Sequence, residues 1–377
     1  MIFIKLRNIA LFLCLLLPFN KLVAADITLS SQSEKVHQVI YKHPAQKDSS
    51  QMNQTLFETP DKAFYMDVVS VYCFADVCKI DTVRIYWNDI GKYQKFELKP
   101  GINLEKAKGE VFTAPDYKKL QLILKDENSP FKNISIDNII STQQTEYGDI
   151  DAFSGATAIN LDESVSIKGA VLTVYTLWHW ANGGLVSMIR KITADAANSM
   201  DLIDYLANKD VEHKLFAIEQ LTKRKAYDAL LLESVKSQYG VESQKLKRSV
   251  ISYLENAPEE VYINAIMDLF DSDNSKQRID CLQSLIVSDT HLTVDLYQKL
   301  YRQLCHQKTY HEVDLLFTLL EKNTTFSDEQ IDPLFIFLTN SNILISRRAY
   351  WFLENKNINK RQEKILKEFL KKNSEYL

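Results

Sequence analysis

The C-terminal half of this 377-residue chain repeats one short pattern at a nearly constant spacing. Each copy has a basic or small polar residue, a small or apolar residue three positions later and a leucine seven positions later, and the copies begin at Lys214, Lys247, Arg278 and Ser346. With Leu320 between the last two copies, the leucines step by 33, 31, 35 and 33 residues. Such a period is typical of stacked helix pairs. The pattern therefore predicts an all-helical array over residues 198–377.

These segments resemble HEAT-type solenoids, in which helix pairs stack side by side. Polar turns such as 271–274 and 339–342 separate the units. The resemblance implies a continuous core between neighbouring pairs and a curved face that docks a protein partner, with a stable scaffold as the simpler alternative. The basic stretch at 360–372 is expected to close the array as an amphipathic capping helix.

The N-terminus has the features of a secretory signal peptide. Lys5 and Arg7 precede an apolar run at 9–19, and small residues at 23–25 offer a cleavage site. The run is shorter than the roughly 20 apolar residues that span a bilayer, although an uncleaved anchor is the alternative. We therefore expect residues 1–25 to be removed and the mature chain to be periplasmic or otherwise exported, without a transmembrane span.

Charge and motif content narrow the functional classes. Residues 1–25 contain three basic and no acidic residues, so their removal leaves 42 basic and 49 acidic residues and a net charge of −7. That balance argues against a nucleic-acid or anionic-membrane surface. The chain has no Gly-x-Ser-x-Gly elbow, no His-Glu-x-x-His motif and no metal-ligand spacing. A hydrolase is therefore the weakest hypothesis, and no metal site is expected.

Between the signal and the array, the sequence predicts an α+β domain over residues 61–197. Three β-rich segments alternate apolar and polar residues, at 63–73, 78–87 and 93–98. Thr113 and Pro115 then open a helix. Strands followed by helices, without βαβ alternation, favour antiparallel strands with helices over a doubly wound sheet. Residues 26–60 are polar and are expected to form a poorly ordered or loosely packed lead-in.

Four cysteines follow residue 25, namely Cys73, Cys78, Cys281 and Cys305. The first two lie at the facing ends of two predicted strands. In an oxidising compartment this favours a disulfide between Cys73 and Cys78 that closes a tight hairpin. A redox-active pair is the alternative, although such pairs are usually separated by two residues rather than four. Cys281 falls on a helical core position, where a buried free thiol is expected.

One short motif lies between the predicted sheet and the array. It reads Asp-x-x-Ser-Gly-Ala-Thr and consists of Asp151, Ser154, Gly155, Ala156 and Thr157. The motif resembles the flavin-attachment sequence of FMN-binding domains, such as the covalent-flavin subunits of sodium-pumping NADH:quinone reductases and Rnf-type complexes. In that family a flavin transferase joins FMN to the last threonine of the motif. A plain turn that leads into the next helix is the alternative.

The resemblance implies that Thr157 carries FMN through a phosphoester to its hydroxyl. Asp151 and Ser154 would belong to the sequence that the transferase recognises, while Gly155 and Ala156 leave the backbone uncrowded for the transferase and the phosphate. It also implies an exported electron-transfer flavoprotein whose array docks a protein redox partner or a membrane complex. The alternative is a non-catalytic scaffold or binding protein with a degenerate FMN-binding-like domain.

The segment after the motif is expected to form a helix from about 163 to 181, capped by Asn160 or Asp162. Apolar and aromatic residues recur along it at intervals of three and four, which predicts a buried stripe. If the motif carries FMN, Tyr175 and Trp178 are candidates for contact with the isoalloxazine ring, since aromatic faces cover such rings well. Ordinary core packing of both residues is the alternative.

Overall fold

A computed structural model describes residues 33–45, 51–74, 77–106, 109–139, 161–162, 164–288, 293–304, 309–322 and 326–375, of which 71–74, 77–80 and 303–304 are described by their backbone alone. Over this part the chain forms an α+β domain with a five-stranded antiparallel sheet, followed by an all-helical region. The predicted fold class is confirmed. No helix among these residues is both long and apolar enough to cross a membrane.

The sheet is an antiparallel meander in which neighbouring strands follow one another in the chain. Its strands are β1 (Lys35–Tyr41), β2 (Met52–Glu58), β3 (Phe64–Phe74), β4 (Val77–Trp87) and β5 (Tyr93–Leu98). The last three are the strands that the alternating pattern predicted. Side chains at every second position, such as Phe64, Met66 and Ile85, are buried on one face, as the two-residue period of a strand requires.

The expected loose lead-in at 26–60 is wrong for the residues described there. β1 and β2 pair with each other along their whole length and extend the sheet. Val39 and Leu56 are buried, whereas Val36 and Ile40 on the other face of β1 are exposed. An antiparallel sheet with one solvated face needs few apolar residues in each strand. The polar composition of residues 26–60 therefore gave no sign of the two strands that form this side of the sheet.

Besides a 3₁₀ turn at Pro130–Asn133 and one helical turn at 136–139, the described part of the first domain has three long helices. They are α1 (Ala114–Lys125), α2 (Val171–Asn182) and α3 (Gly184–Ala196). α1 begins where predicted, because the Asp116 carboxylate accepts hydrogen bonds from the N–H and hydroxyl of Thr113. α2 is buried on almost every side, between β3 and β4 of the sheet and α1. It is thus the central element of the domain rather than a helix with one buried stripe.

The helix after the motif begins at Val171, later than predicted. Asp162 does not cap it, because its Oδ1 accepts the N–H of Ser164 in a local turn. Gly169 has φ +82°, in the left-handed region that favours glycine. Side-chain hydrogen bonds to the nearby backbone compete with helix formation. Helical geometry is therefore delayed until Val171.

The second part of the chain is a stack of helices with its own core. The helices are α4 (Ser199–Ala207), α5 (Val211–Lys223), α6 (Ala229–Ser237), α7 (Gln244–Glu255), α8 (Glu259–Phe270), α9 (Ser275–Val287), α10 (Val294–Leu304), α11 (Tyr310–Glu321), α12 (Asp328–Ile331, continued by a 3₁₀ segment at Asp332–Thr339), α13 (Ile343–Leu353) and α14 (Lys360–Asn373). Every second helix, from α5 to α13, carries one repeat leucine. These five leucines are completely buried in one continuous apolar cluster, at Leu221, Leu254, Leu285, Leu320 and Leu353. The repetitive helical architecture is as predicted.

The polar residue of the repeat closes the turn between paired helices. Three of the four donate to main-chain carbonyls at or just after the preceding helix: Lys214 to Leu206, Arg278 to Ser272 and Ser346 to Asn340. Carbonyls at a helix C-terminus have no partner within the helix. A donor at this position of each repeat therefore satisfies a group that would otherwise be unpaired, which explains why the pattern begins with a polar residue.

The last helix closes the stack as a cap. In α14, Gln362 and Leu366 are buried, whereas its lysines point to solvent. Arg361 and Gln362 both contact the carboxylate of Asp332 in the 3₁₀ segment, at 2.6 Å each. The expected amphipathic capping helix is thus confirmed.

Candidate functional site

The flavin-attachment motif lies outside the described residues. Asp151, Ser154, Gly155, Ala156 and Thr157 all fall within 140–160, so their predicted roles stay predictions. Before this segment the described chain ends at the buried Ile139, whereas after it Leu161 is half-buried and Asp162 is exposed. The nearest core residues on either side are Ile139, which is fully buried, and Ile167, which is 2% exposed.

Tyr175 and Trp178 lie together on α2, inside the core of the first domain. Their exposed fractions are 5% and 2%. The Tyr175 hydroxyl donates to the Ile134 carbonyl at 3.2 Å, and the Trp178 indole N–H donates to the Asp126 carbonyl at 2.8 Å. Both polar atoms therefore hold the segment between α1 and the motif against α2. Their predicted contact with a flavin ring is untested by these interactions.

His179 completes this aromatic group. Its ring centroid lies 4.3 Å from that of Tyr175 and 4.9 Å from that of Trp178. Nε2 donates to the Phe131 carbonyl at 3.0 Å, which requires the tautomer with its proton on Nε2. Burial lowers the pKa of His179, and the hydrogen bond to Phe131 opposes that shift only in part. A neutral imidazole thus joins the aromatic core next to the segment that precedes the motif.

A second polar group lies where the two parts of the chain meet. The Asp89 carboxylate, in the turn between β4 and β5, accepts from Nε2 of His213 on α5 at 2.8 Å. The Asp89 main-chain carbonyl accepts the hydroxyl of Thr193 on α3. His213 Nδ1 lies 3.6 Å from the Asp210 carboxylate and makes no hydrogen bond. Because Asp89 and His213 are 124 residues apart, no local pattern could predict this pair.

A cleft of about 170 Å³ opens beside this junction. Its walls carry Lys92, Lys132 and Arg190 together with Glu127 and Glu212. Arg190 is already paired with Glu219 at 2.5 Å, and Glu212 with Lys245 at 2.9 Å. Two of the five charged side chains thus have partners within the chain, and the cleft carries both signs of charge, which does not favour an anion site. Among the residues described, no three His, Cys, Asp or Glu side chains form a group that could hold a metal ion.

The hairpin of β3 and β4 places Cys73 and Cys78 directly opposite each other in the strand register. Opposed residues in an antiparallel pair have Cα atoms about 4.5–5.5 Å apart. Disulfides span Cα separations of roughly 4.4–6.8 Å. The backbone register therefore supports the proposed disulfide. Cys281, in contrast, is a buried free cysteine as predicted, and burial raises the pKa of its thiol.

We expect neither Cys73 nor Cys78 to react with an alkylating reagent when the protein, produced in an oxidising compartment, is denatured without reductant. After reduction, both should be labelled, and peptide mass spectrometry should identify them. Cys281 serves as the internal control because denaturation alone should expose it to the reagent. Labelling of Cys73 and Cys78 before reduction would refute the disulfide. The closed loop is short, so its loss should cost no more than about 3 kcal/mol.

Comparison of the chain with protein-family models finds no match, and comparison with curated proteins finds none either. The resemblance to FMN-binding domains therefore depends on the motif residues alone.

Proposed function

We propose that this chain is an exported flavoprotein that carries FMN covalently on Thr157 and takes part in electron transfer. The observation that carries the proposal is the motif formed by Asp151, Ser154, Gly155, Ala156 and Thr157. It supplies a hydroxyl that can condense with the FMN phosphate and small residues that leave the phosphate room. The bound flavin would supply the redox chemistry, while the chain holds and tunes it.

The described residues offer no open aromatic slot at α2. Tyr175 and Trp178 are packed in the core, and their polar atoms are hydrogen-bonded to the main chain. The chemical fit to FMN thus rests on the acceptor hydroxyl of the motif. In this proposal α2 holds residues 126–134, which precede the motif in the chain.

A flavin transferase is the partner that attachment requires. The helical array would then dock a protein redox partner or a membrane complex, because a stack with its own core can present an extended surface without helping to hold the cofactor. The stack also supports a second candidate, in which the chain is a non-catalytic binding scaffold. That alternative is favoured by the continuous core of the array, which extends from Leu202 to Leu366.

Intact mass separates the two candidates. The full chain should be exported from cells with and without a flavin transferase. We expect the transferase to add the mass of one FMN less one water, and we expect Thr157→Val to abolish this addition while circular dichroism and the melting temperature stay unchanged. The valine keeps the shape of threonine but lacks the hydroxyl that forms the phosphoester.

Ser154→Ala is the matched control within the motif. It should reduce the extent of attachment less completely, because the acceptor hydroxyl remains. Flavin that stays on Thr157→Val after denaturation would contradict the assignment to Thr157. A folded wild-type chain that never gains flavin would instead favour the scaffold.

A further inference from the structure

β1 forms one edge of the sheet. Among the residues that the structure describes, it pairs only with β2, so its other side has no strand partner. Val36 and Ile40 on this strand are 57% and 55% exposed. An edge strand presents main-chain N–H and C=O groups that can pair with another strand. Exposed apolar side chains beside such an edge add a surface that pairing would cover.

A groove of about 560 Å³ runs along this edge. Five consecutive residues of β1, Val36–Ile40, line one wall, and Met188, Lys191 and Ile192 of α3 line the other. Successive side chains of a strand point to opposite faces. A wall made of five consecutive residues therefore includes the main-chain edge itself. The groove has the form of a strand-addition site, with an edge strand on one side and a helix on the other.

We propose that the occupant of this groove is β1 of a second copy of the chain, which joins the two sheets by antiparallel edge pairing. The strand is complementary to itself about Gln38. With Gln38 opposite its own copy, Val36 lies opposite Ile40, and Glu34, which also accepts the Tyr65 hydroxyl, lies opposite Lys42 just beyond the ends of the strand. Apolar residues then meet apolar residues, and each carboxylate meets an ammonium group. Such cross-strand pairs stabilise a sheet, whereas like charges in opposition destabilise it.

This register is distinguished from its neighbours. A slip of one residue would place the buried face of one sheet on the exposed side of the other. A slip of two residues keeps the faces aligned, but it places Glu34 opposite Ile40 in one direction or Val36 opposite Lys42 in the other. Only the register centred on Gln38 places apolar residues opposite apolar residues and opposite charges opposite each other. The contact is isologous, as a two-fold dimer requires.

The α3 wall is compatible with a two-fold copy. Lys191 of this wall pairs at 2.5 Å with Asp195, one turn further along α3, and their side chains are 74% and 64% exposed. The surface that would face the second copy therefore carries both positive and negative charges. Repulsion between like charges of the two copies does not dominate there. Because strand pairing over one short edge buries little area, we expect the dimer to depend on protein concentration.

Cysteine cross-linking tests the register on the full chain. In Gln38→Cys, the two new thiols would lie on opposed residues with Cα atoms about 4.5–5.5 Å apart, within the range of a disulfide. We expect mild oxidation to give disulfide-linked dimers through residue 38, identified by peptide mass. Val36→Cys is the matched control, because it lies on the same exposed face. Its two copies would be separated by four residues along the strands, or roughly 13 Å, and should not cross-link.

Charge reversal provides a second test that does not involve cysteine. Sedimentation equilibrium should show roughly tenfold weaker dimerisation for Glu34→Lys or Lys42→Glu, and recovery in the double variant, in which the two charges are exchanged. Circular dichroism confirms that each variant is folded. A chain that stays monomeric at every concentration would overturn the proposal. So would equal cross-linking of both cysteine variants, or a double variant as weak as the single ones.

Discussion

Glu312→Ala is expected to destabilise the helical array by about 3–5 kcal/mol, the usual cost of leaving a buried charge without its partner. The Arg278 guanidinium donates to Glu312 at 2.7 Å, and their side chains are 3% and 1% exposed. Burial alone would raise the pKa of Glu312, but hydrogen bonds from Thr309 and Arg278 outweigh that effect and lower it. The carboxylate is therefore charged at neutral pH, and its removal leaves the Arg278 guanidinium buried without an opposite charge, with only the Ser272 carbonyl as a partner among the residues described.

Urea unfolding, monitored by far-ultraviolet circular dichroism, measures this loss. The double variant Arg278→Met, Glu312→Leu should recover part of this loss, because no charge is left buried without its partner, while the Ser272 carbonyl still loses the donor that Arg278 provides. Glu363→Ala is the exposed control, since Glu363 pairs with Lys367 on the surface of α14. That change should cost less than about 0.5 kcal/mol. A Glu312→Ala loss as small as this control would contradict the expected role of the buried pair.

Trp178→Ala should destabilise the first domain by about 3–5 kcal/mol, the usual cost of removing a large aromatic side chain from a core. The substitution also leaves the Asp126 carbonyl without the indole N–H that it accepts at 2.8 Å. Trp351→Ala is the matched control, because Trp351 on α13 is 39% exposed. Its loss should cost far less. The two unfolding curves, recorded in the same denaturant, give the comparison.

Trp178→Phe then separates core packing from flavin contact. It keeps an aromatic ring in the core, so the domain should fold and the transferase should still load flavin onto Thr157. If Trp178 is only a core residue, the absorbance and fluorescence of the attached flavin should match those of the wild type. A shifted flavin spectrum in a folded Trp178→Phe protein would instead support the predicted contact with the isoalloxazine ring.

Short-range patterns predicted much of this architecture. The five leucines that recur about every 33 residues predicted the helical stack, and all five are buried in its core. Thr113 and Pro115 marked the start of α1, and alternation marked β3, β4 and β5. These features depend on residues close together in the chain. Local hydrogen bonds and the periods of helices and strands therefore determine them without knowledge of the rest of the molecule.

The candidate site was less predictable. The motif around Thr157 was found because its chemistry requires a hydroxyl next to small residues, which is a local property. Tyr175 and Trp178 were identified as an aromatic pair on a helix, but the sequence left open whether they covered a flavin or filled a core. The structure shows both buried and hydrogen-bonded to Ile134 and Asp126, 41 and 52 residues away, while their contact with a flavin stays a prediction. The pattern of residues along a helix carries no information about partners so far away in the chain.

The sequence alone predicted the helical array and the antiparallel strands β3–β5, which the structure shows, and it is the source of the proposal that Thr157 accepts flavin. Each of these predictions follows from residue type and spacing over a short stretch of the chain. Tertiary structure decided that β1 and β2 join the sheet and that α2 lies at the centre of the first domain. It also decided that Asp89 accepts a hydrogen bond from His213, 124 residues away. These outcomes depend on which surfaces are brought together. A polar strand becomes ordered when a distant strand pairs with it, and a polar side chain can be buried when a distant group satisfies its hydrogen bonds. Neither partner can be identified from the residues near it in the sequence.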